Sequence, residues 1–350
     1  MFRLDPITLK QWNRFRSIRR GYWSFLIITF LIFLTLIGEV LVNNRALIVK
    51  YQGHWYLPTY GAVYPGKTFG LGYEYETNYR ELKRVFQEQN KGDWVLMPPV
   101  PFNAHENDAK PGTNILMRAP DMERQHYLGT DSSGRDILAR LFYGFRIAMG
   151  FAACLMAIEY TVGVVFGCSM AWFGGYYDLT CQRLIEIWSL LPSLYVIIIV
   201  VSVATPSFGM LVILTGAFSW LSITAYMRTS AYREKSRDYI ASARILGAGS
   251  LRIITRHILP NTLATVITFL PFSVEGAIFS LTTLDFLGFG LPIPTPSWGE
   301  LLQQGKTNLT TAPWIIISTV TAMVTVLTLV TFVGEAIREA FDPKKFTIYE

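Results

Sequence analysis

Asp238-Tyr239-Ile240-Ala241-Ser242-Ala243-Arg244-Ile245-Leu246-Gly247 is followed ten residues later by His257-Ile258-Leu259-Pro260-Asn261. Residues 239–246 are good helix formers, and Gly247 can adopt the left-handed conformation that stops a helix. Pro260 has a φ already fixed near the helical value and suits a helix start. Long apolar runs flank this short basic segment on both sides. Soluble proteins seldom need that arrangement. A membrane protein that presents a small helix to a soluble partner does.

The composition agrees. Of 350 residues, 51% are hydrophobic and only 16% charged, where a soluble domain carries about a quarter charged residues. A membrane span takes roughly 17–25 apolar residues. Six stretches qualify: 23–41, 147–172, 185–205, 208–227, 263–284 and 314–333. The first follows a basic tail (Lys10, Arg14, Arg16, Arg19, Arg20) without a small-residue cleavage site, so it reads as an uncleaved anchor. Residues 228–260 hold Arg228, Arg233, Lys235, Arg237, Arg244, Arg252 and Arg256 against Glu234 and Asp238. The C-terminus carries Arg338, Lys344 and Lys345. Six spans put all three basic segments on one side, which the charge rule makes the cytoplasm. The net charge of +6 is therefore read by position, as orientation, and not as a nucleic-acid signal.

Two segments then face the other way. Residues 285–313 contain Gly288, Gly290, Pro292, Pro294 and Pro296 and read as a stiff, turn-rich connection. The segment from 42 to about 146 is rich in Tyr, Gly and Pro, and its aromatic content argues for order. Within it, 79–90 suits an exposed helix, and 134–145 an interfacial amphipathic helix. The second would put Ile137, Leu138, Leu141 and Phe142 on its apolar face and Arg135, Asp136 and Arg140 opposite. Pro192 and Pro271 are expected to kink their helices.

Three stretches carry a family resemblance. The loop spacing Ala241-Ser242-Ala243 to Gly247, then His257-x-Leu259-Pro260, resembles the "EAA" coupling loop of ABC-importer permeases. Ala241 stands where that family usually has Glu. His126-Tyr127-Leu128-Gly129-Thr130-Asp131-Ser132-Ser133-Gly134-Arg135-Asp136 is similar to the H-x-L-G-T-D-x-x-G-R-D signature of the dipeptide/oligopeptide/nickel branch. Physically it is a turn in which Thr130, Asp131 or Ser132 can cap the following helix. Phe286-Leu287-Gly288-Phe289-Gly290, then Pro296-Ser297-Trp298-Gly299, resembles the F-L-G-x-G…P-S-W-G stretch of the same branch. A family glutamate before it falls at Leu281. The long segment after the first span resembles the importer subgroup for microcin C-type peptides, with this chain as the second permease.

The resemblance implies an all-α membrane protein: six transmembrane helices of the type I ABC-importer permease kind, with an extended periplasmic segment after helix 1. The divisions are a cytoplasmic tail (1–22), a first span (23–42), a periplasmic segment (43–146), a permease core (147–340) with coupling loop 228–260, and a cytoplasmic tail (341–350). It implies a subunit of an ATP-driven peptide importer in the bacterial inner membrane. Its partners would be a second homologous permease, a cytoplasmic ABC ATPase, a periplasmic peptide-binding protein and the lipid bilayer, with no nucleic acid. ATP and Mg would belong to the ATPase, and this chain would hold no cofactor and catalyse nothing. Tyr239, Ala241, Ser242, Ala243, Arg244, Gly247, Arg252, His257 and Pro260 are the expected ATPase-coupling residues. Gly129, Thr130, Asp131, Gly134, Arg135, Asp136, Gly288, Gly290 and Trp298 are the expected periplasmic motif residues.

Two acids, Glu159 and Glu275, fall mid-span. Buried acids there are costly and are functional candidates by default. The plainer reading, helix–helix hydrogen bonding, is favoured, and a polar translocation path for cationic peptides is the sharper one. A membrane enzyme built on Glu159, Glu275 and a histidine is the rival from another class, weakened because no histidine lies within a span. Gly61-Ala62-Val63-Tyr64-Pro65-Gly66-Lys67-Thr68 fits the P-loop expression, but Trp55-Tyr56-Leu57-Pro58 before it and Phe69-Gly70-Leu71-Gly72 after it are poor context. Cys154, Cys168 and Cys181 form no C-x-x-C pair, and neither disulfide nor metal site is expected.

Overall fold

The computed structural model of the chain describes residues 6–108 and 116–341. A short helix α1 (Pro6–Ser17) precedes the first long apolar helix, α2 (Arg19–Leu36), and a single turn, α3 (Gly38–Leu41). Then comes the insert, with strands β1 (Ile48–Tyr51) and β2 (His54–Tyr56), helix α4 (Tyr79–Gln89) and strand β3 (Trp94–Leu96). The bundle follows: α5 (Ile137–Phe173), α6 (Gly175–Ser189), α7 (Ser193–Val203) and α8 (Phe208–Lys235). A hairpin of α9 (Asp238–Ile245) and α10 (Ser250–Ile253) leads into α11 (Leu259–Phe286), and α12 (Trp298–Thr307) and α13 (Pro313–Phe341) close the fold.

Five of these helices are long and apolar enough to cross a membrane: α2, α5, α8, the 266–286 part of α11, and α13. The expected third span is different. It is a pair, α6 and α7, bent by 65° at the break before Ser193, and it makes a sixth span only if the two count together. Pro192 sits at that break as the N-cap of α7, because its ring cannot continue α6. Pro271 by contrast lies within the continuous α11.

Helix contact inside a bilayer cannot draw on hydrophobic driving force, so small residues that permit close approach matter more. Gly163 and Gly167 are four apart and share one face of α5. A Cβ at Gly167 would stand 2.6 Å from Met227 Cβ and 2.8 Å from the Thr224 carbonyl oxygen. The two glycines therefore set how closely α8 lies against α5. Arg20 pairs with Glu335 at 3.0 Å, and Phe15 packs with Ala336 and Ala340. This brings the start of α2 to the end of α13. Ile137 and Leu141, at the start of α5, cluster with Ile315 at the start of α13. Helix α1, the α9–α10 hairpin and the end of α13 thus share one end of the bundle, and the insert occupies the other.

The insert adds a small sheet to a mostly helical chain. Its order is β2-β1-β3, antiparallel throughout, with Val49 opposite both Tyr56 and Val95. Its core gathers Ala46, Val49, Phe69, Tyr79, Leu82, Phe86 and Val95. Helix α4 is less exposed than the sequence suggests, because Tyr79, Leu82 and Phe86 turn inward. Asn78 caps its start by accepting from the Arg80 and Glu81 amides, and Asn90 ends it in the left-handed region.

Two expectations near α5 need correction. Residues 134–145 are not an interfacial amphipathic helix. From Ile137 they are the first turns of the 37-residue α5, and Arg135, Asp136 and Arg140 are buried. Nor is 285–313 only a turn-rich connection, since α12 occupies its second half, capped by Ser297 through the Gly299 and Glu300 amides.

Candidate functional site

The H-x-L-G-T-D signature closes on a buried network of charges at the insert end. Asp131 Oδ2 accepts from Arg135 Nε at 2.7 Å, and Arg135 Nη2 donates to Glu300 Oε1 at 2.7 Å. Arg140 also donates to Glu300 and reaches the Ala104 carbonyl at 3.1 Å. One carboxylate from α12 thus holds two arginines, one from the motif turn and one from α5. Burial without such pairing would cost each arginine several kcal/mol. The helix cap is Asp136, whose side chain accepts from the Ala139 amide at 2.8 Å, and not Thr130, Asp131 or Ser132. Asp131 is committed to the turn, accepting from the Ser133 and Arg135 amides. Thr130 accepts from the Arg118 amide and donates to the Leu116 carbonyl. Gly134 is buried in the same turn, and Gly129, at φ +80°, lies against the Arg118 carbonyl and the Trp314 ring.

His126 joins the insert to this network. Its Nδ1 lies 2.9 Å from Asp136 Oδ2 and its Nε2 3.2 Å from Asp108 Oδ2. Burial pushes the imidazole pKa down, but hydrogen bonds and charge from both carboxylates outweigh it, and the net direction is up. Asp108 is held below the usual carboxylate range, first by the His126 hydrogen bond and then by Arg80 and Arg118, against burial. The F-L-G-x-G…P-S-W-G stretch folds around Asp285, which accepts from Ser297 Oγ at 2.5 Å and the Leu291 amide at 2.7 Å. Gly290 packs directly on Asp285, and Gly288 turns the chain at φ +81°. Trp298 Nε1 donates to the Leu141 carbonyl at 3.0 Å. Leu281 is buried in the apolar core, with no ligand chemistry to offer.

The hairpin at the opposite end is anchored underneath and bare on top. Ile240, Ile253 and Ile258 are buried among Trp172, Ile223, Met227 and Ala231. Arg244 lies 4.3 Å over the Trp172 ring. Lys235 Nζ donates to the last carbonyls of α5, Ala171 and Trp172, at 2.8 and 2.7 Å. Arg228 makes two 2.6 Å bonds to Asp178, a bidentate clamp between α8 and α6. Tyr239 donates to Glu234 at 2.8 Å and accepts from Asn261 at 3.1 Å. Burial, then Glu234, raise its pKa, so the hydroxyl keeps its proton. Gly247 ends the turn at φ +80°. Ala241, Ser242 and Arg252 are exposed and Ala243 is half-buried. Above them, Ile245 and Leu246 are each 86% exposed and Leu251 75%. Pro260 stands in the first turn of α11, as expected, but no loop precedes it. A π-helical turn, Ile254–Ile258, which includes His257, joins α10 to α11, so one rod continues from Ser250 to Phe286.

The two mid-span acids part company. Glu159 lines a cavity of about 560 Å³ between α5, α7, α8 and α11, where Ser273 Oγ donates to its Oε1 at 3.2 Å. Glu275 is outside that cavity and accepts from Thr331 of α13 at 3.2 Å. The packing role fits Glu275, and Glu159 faces open space.

The P-loop-like stretch has no free phosphate cradle. The Gly66 and Lys67 amides donate to the Tyr75 and Tyr73 carbonyls, the Thr68 amide to Pro65, and Lys67 pairs with Glu74. Among the described residues no group of three or more His, Cys, Asp or Glu could hold a metal ion.

Residues the sequence reading missed are Glu300, Arg140 as a buried ion, Asp285 and the exposed apolar pair Ile245–Leu246. An arginine one turn into an apolar helix was the available signal for Arg140. Glu300 gave none.

Comparison with known proteins agrees with this anatomy. Residues 163–347 match the family described as binding-protein-dependent transport system inner membrane component. The chain is 42% identical over 345 residues to the inner membrane ABC transporter permease protein YejE of Escherichia coli, covering 99% of each. It is 38% identical to the peptidoglycan transport system permease protein YejE of Agrobacterium fabrum, over 97% of this chain and 94% of that one. The oligopeptide transport system permease protein OppC of Haemophilus influenzae is 32% identical over 70% of this chain and 77% of its own. The chain belongs to the binding-protein-dependent transport system inner membrane component family, as a permease subunit of the ABC transporter class.

Proposed function

We propose that this chain forms half the translocation path of an ATP-driven importer of short peptides, including peptidoglycan-derived or microcin C-type ones. The insert faces the periplasm and receives a peptide-binding protein. The N-terminal tail, the hairpin and the C-terminal tail face the cytoplasm. A second homologous permease completes the path, and a cytoplasmic ABC ATPase, which holds ATP and Mg, docks on the hairpin. This chain hydrolyses nothing itself. Relatives named for oligopeptide and peptidoglycan transport support the substrate class.

The observation that carries the reading is the hairpin. Ile245, Leu246 and Leu251 stand almost fully exposed at the bundle end, on a base fixed by buried isoleucines and by the Arg244–Trp172 stack. An exposed apolar tip on a rigid base marks a protein contact. Force applied at Ile245–Leu246 passes through the π-turn into α11, whose Ser273 and Ser280 line the cavity. ATP-driven closure of the motor would thus tilt the cavity wall.

Affinity purification from mild detergent tests this. The wild-type chain should bring down a P-loop ATPase and a second permease. The double change Ile245→Glu and Leu246→Glu should lose the ATPase and keep the permease. Retention of the ATPase by the double variant, or its absence from the wild-type preparation, would refute the proposal.

A further inference from the structure

We propose that Glu159 makes the cavity a recognition site for a basic peptide side chain, a lysine ammonium or arginine guanidinium in transit. This rests on the permease reading above and assigns a specificity to it. Among the described residues Glu159 is the only carboxylate on the cavity wall, and no lysine, arginine or histidine lines the cavity. A carboxylate at membrane depth is costly without a countercharge, and the chain supplies none here. Glu275, at comparable depth, is placed differently, against Thr331 and away from the cavity.

The surrounding wall completes the site. Ser219, Ser222, Ser273 and Ser280 line the same cavity, alongside apolar Leu155 and Phe269. Ser273 donates to Glu159 Oε1 at 3.2 Å and lies 3.0 Å from the Tyr160 hydroxyl, which fixes the carboxyl group in place. Among the described residues nothing donates to Oε2. Thr215, also on the wall, has a buried hydroxyl without a partner. Thr224, on the same helix, bonds back to the Trp220 carbonyl, the ordinary resource of a helical threonine. One free carboxylate oxygen and hydroxyls that can accept are what an ammonium with three N–H donors needs. The apolar walls suit the methylene stem of the same side chain.

The test uses the complete transporter reconstituted in vesicles, with ATP enclosed in the lumen and one binding protein outside throughout. Two peptides are compared that differ only in lysine against norleucine, and ATP-driven uptake is read as a ratio within each preparation. The binding protein's own preference is constant and cancels between variants. Glu159→Gln should lower the lysine-to-norleucine ratio about tenfold relative to wild type. Glu159→Asp should recover part of it, and Glu275→Gln should leave it at the wild-type value. The ratio does not depend on the amount of assembled complex. An unchanged ratio in Glu159→Gln, or an equal fall in Glu275→Gln, would overturn the proposal while the permease reading stands. No ATP-driven uptake of either peptide by wild type would overturn both.

Discussion

Glu300→Gln should destabilise the protein by about 3 kcal/mol, because it removes the charge that two buried arginines share. Arg135 and Arg140 are both buried, and each donates to a different oxygen of Glu300. Glutamine keeps the size and one acceptor but presents an amide to the second guanidinium. Among the described residues Asp131 then remains as the only carboxylate for both, bonded to Arg135 at 2.7 Å and 3.4 Å from Arg140 Nε. Breaking a buried pair by removing one partner costs about 3–5 kcal/mol, and the low end applies because Asp131 stays. Arg140→Met alone should cost a similar amount, since it strands Glu300 beside a single arginine. The double variant should cost less than the sum by about 1.5–3 kcal/mol, the signature of residues in one network. Unfolding by sodium dodecyl sulfate in mixed micelles, followed by tryptophan fluorescence, measures all three. Additive costs, or a Glu300→Gln loss under about 0.5 kcal/mol, would show that the pair is hydrated and that the network does not tie α12 to α5.

Two further perturbations probe other parts of the fold. Gly167→Leu should cost at least ~3 kcal/mol and separate α5 from α8, because its side chain meets Met227 and the Thr224 carbonyl; Gly150→Leu, with open space around it, should stay near wild type in the same unfolding assay. The His126 site should leave a pH signature in the melting temperature. The raised imidazole pKa contributes fully below its ordinary value of 6.5 and is lost as pH rises through the folded value. The lowered Asp108 pKa contributes above its ordinary 3.8 and is lost as pH falls through the folded value. Stability from this pair is therefore greatest in mildly acidic solution, and His126→Gln should flatten the alkaline side of the profile.

Span-length apolar runs, the glycine stop at Gly247 and the false P-loop were legible in the sequence because each depends on local properties: length, φ and flanking residues. What was not legible depends on partners far along the chain. Arg140 reads as the polar face of an interfacial helix until Glu300, 160 residues on, is placed beside it. The cap of α5 could not be chosen among Thr130, Asp131, Ser132 and Asp136 by type alone, since all four can cap; the turn consumed Asp131 and left Asp136. The bend before Ser193 was anticipated at Pro192, but not that α6 and α7 would be separate helices. Glu159 and Glu275 sit at equivalent depths in their helices and differ only in what stands opposite, which a single chain's hydropathy does not encode.

The continuous helix from Ser250 to Phe286 would act, in the proposed mechanism, as a first-order lever. Its load arm from Ile254 to Ser280 is roughly 39 Å at about 1.5 Å per residue. Each degree of tilt about the hairpin therefore swings Ser280 by ~0.7 Å, and ten degrees by ~7 Å. In the proposed mechanism, a stroke of a few ångströms near the pivot would be enough to open or shut the far end. The gearing is set by the length of one helix, with no hinge inside the bundle needed.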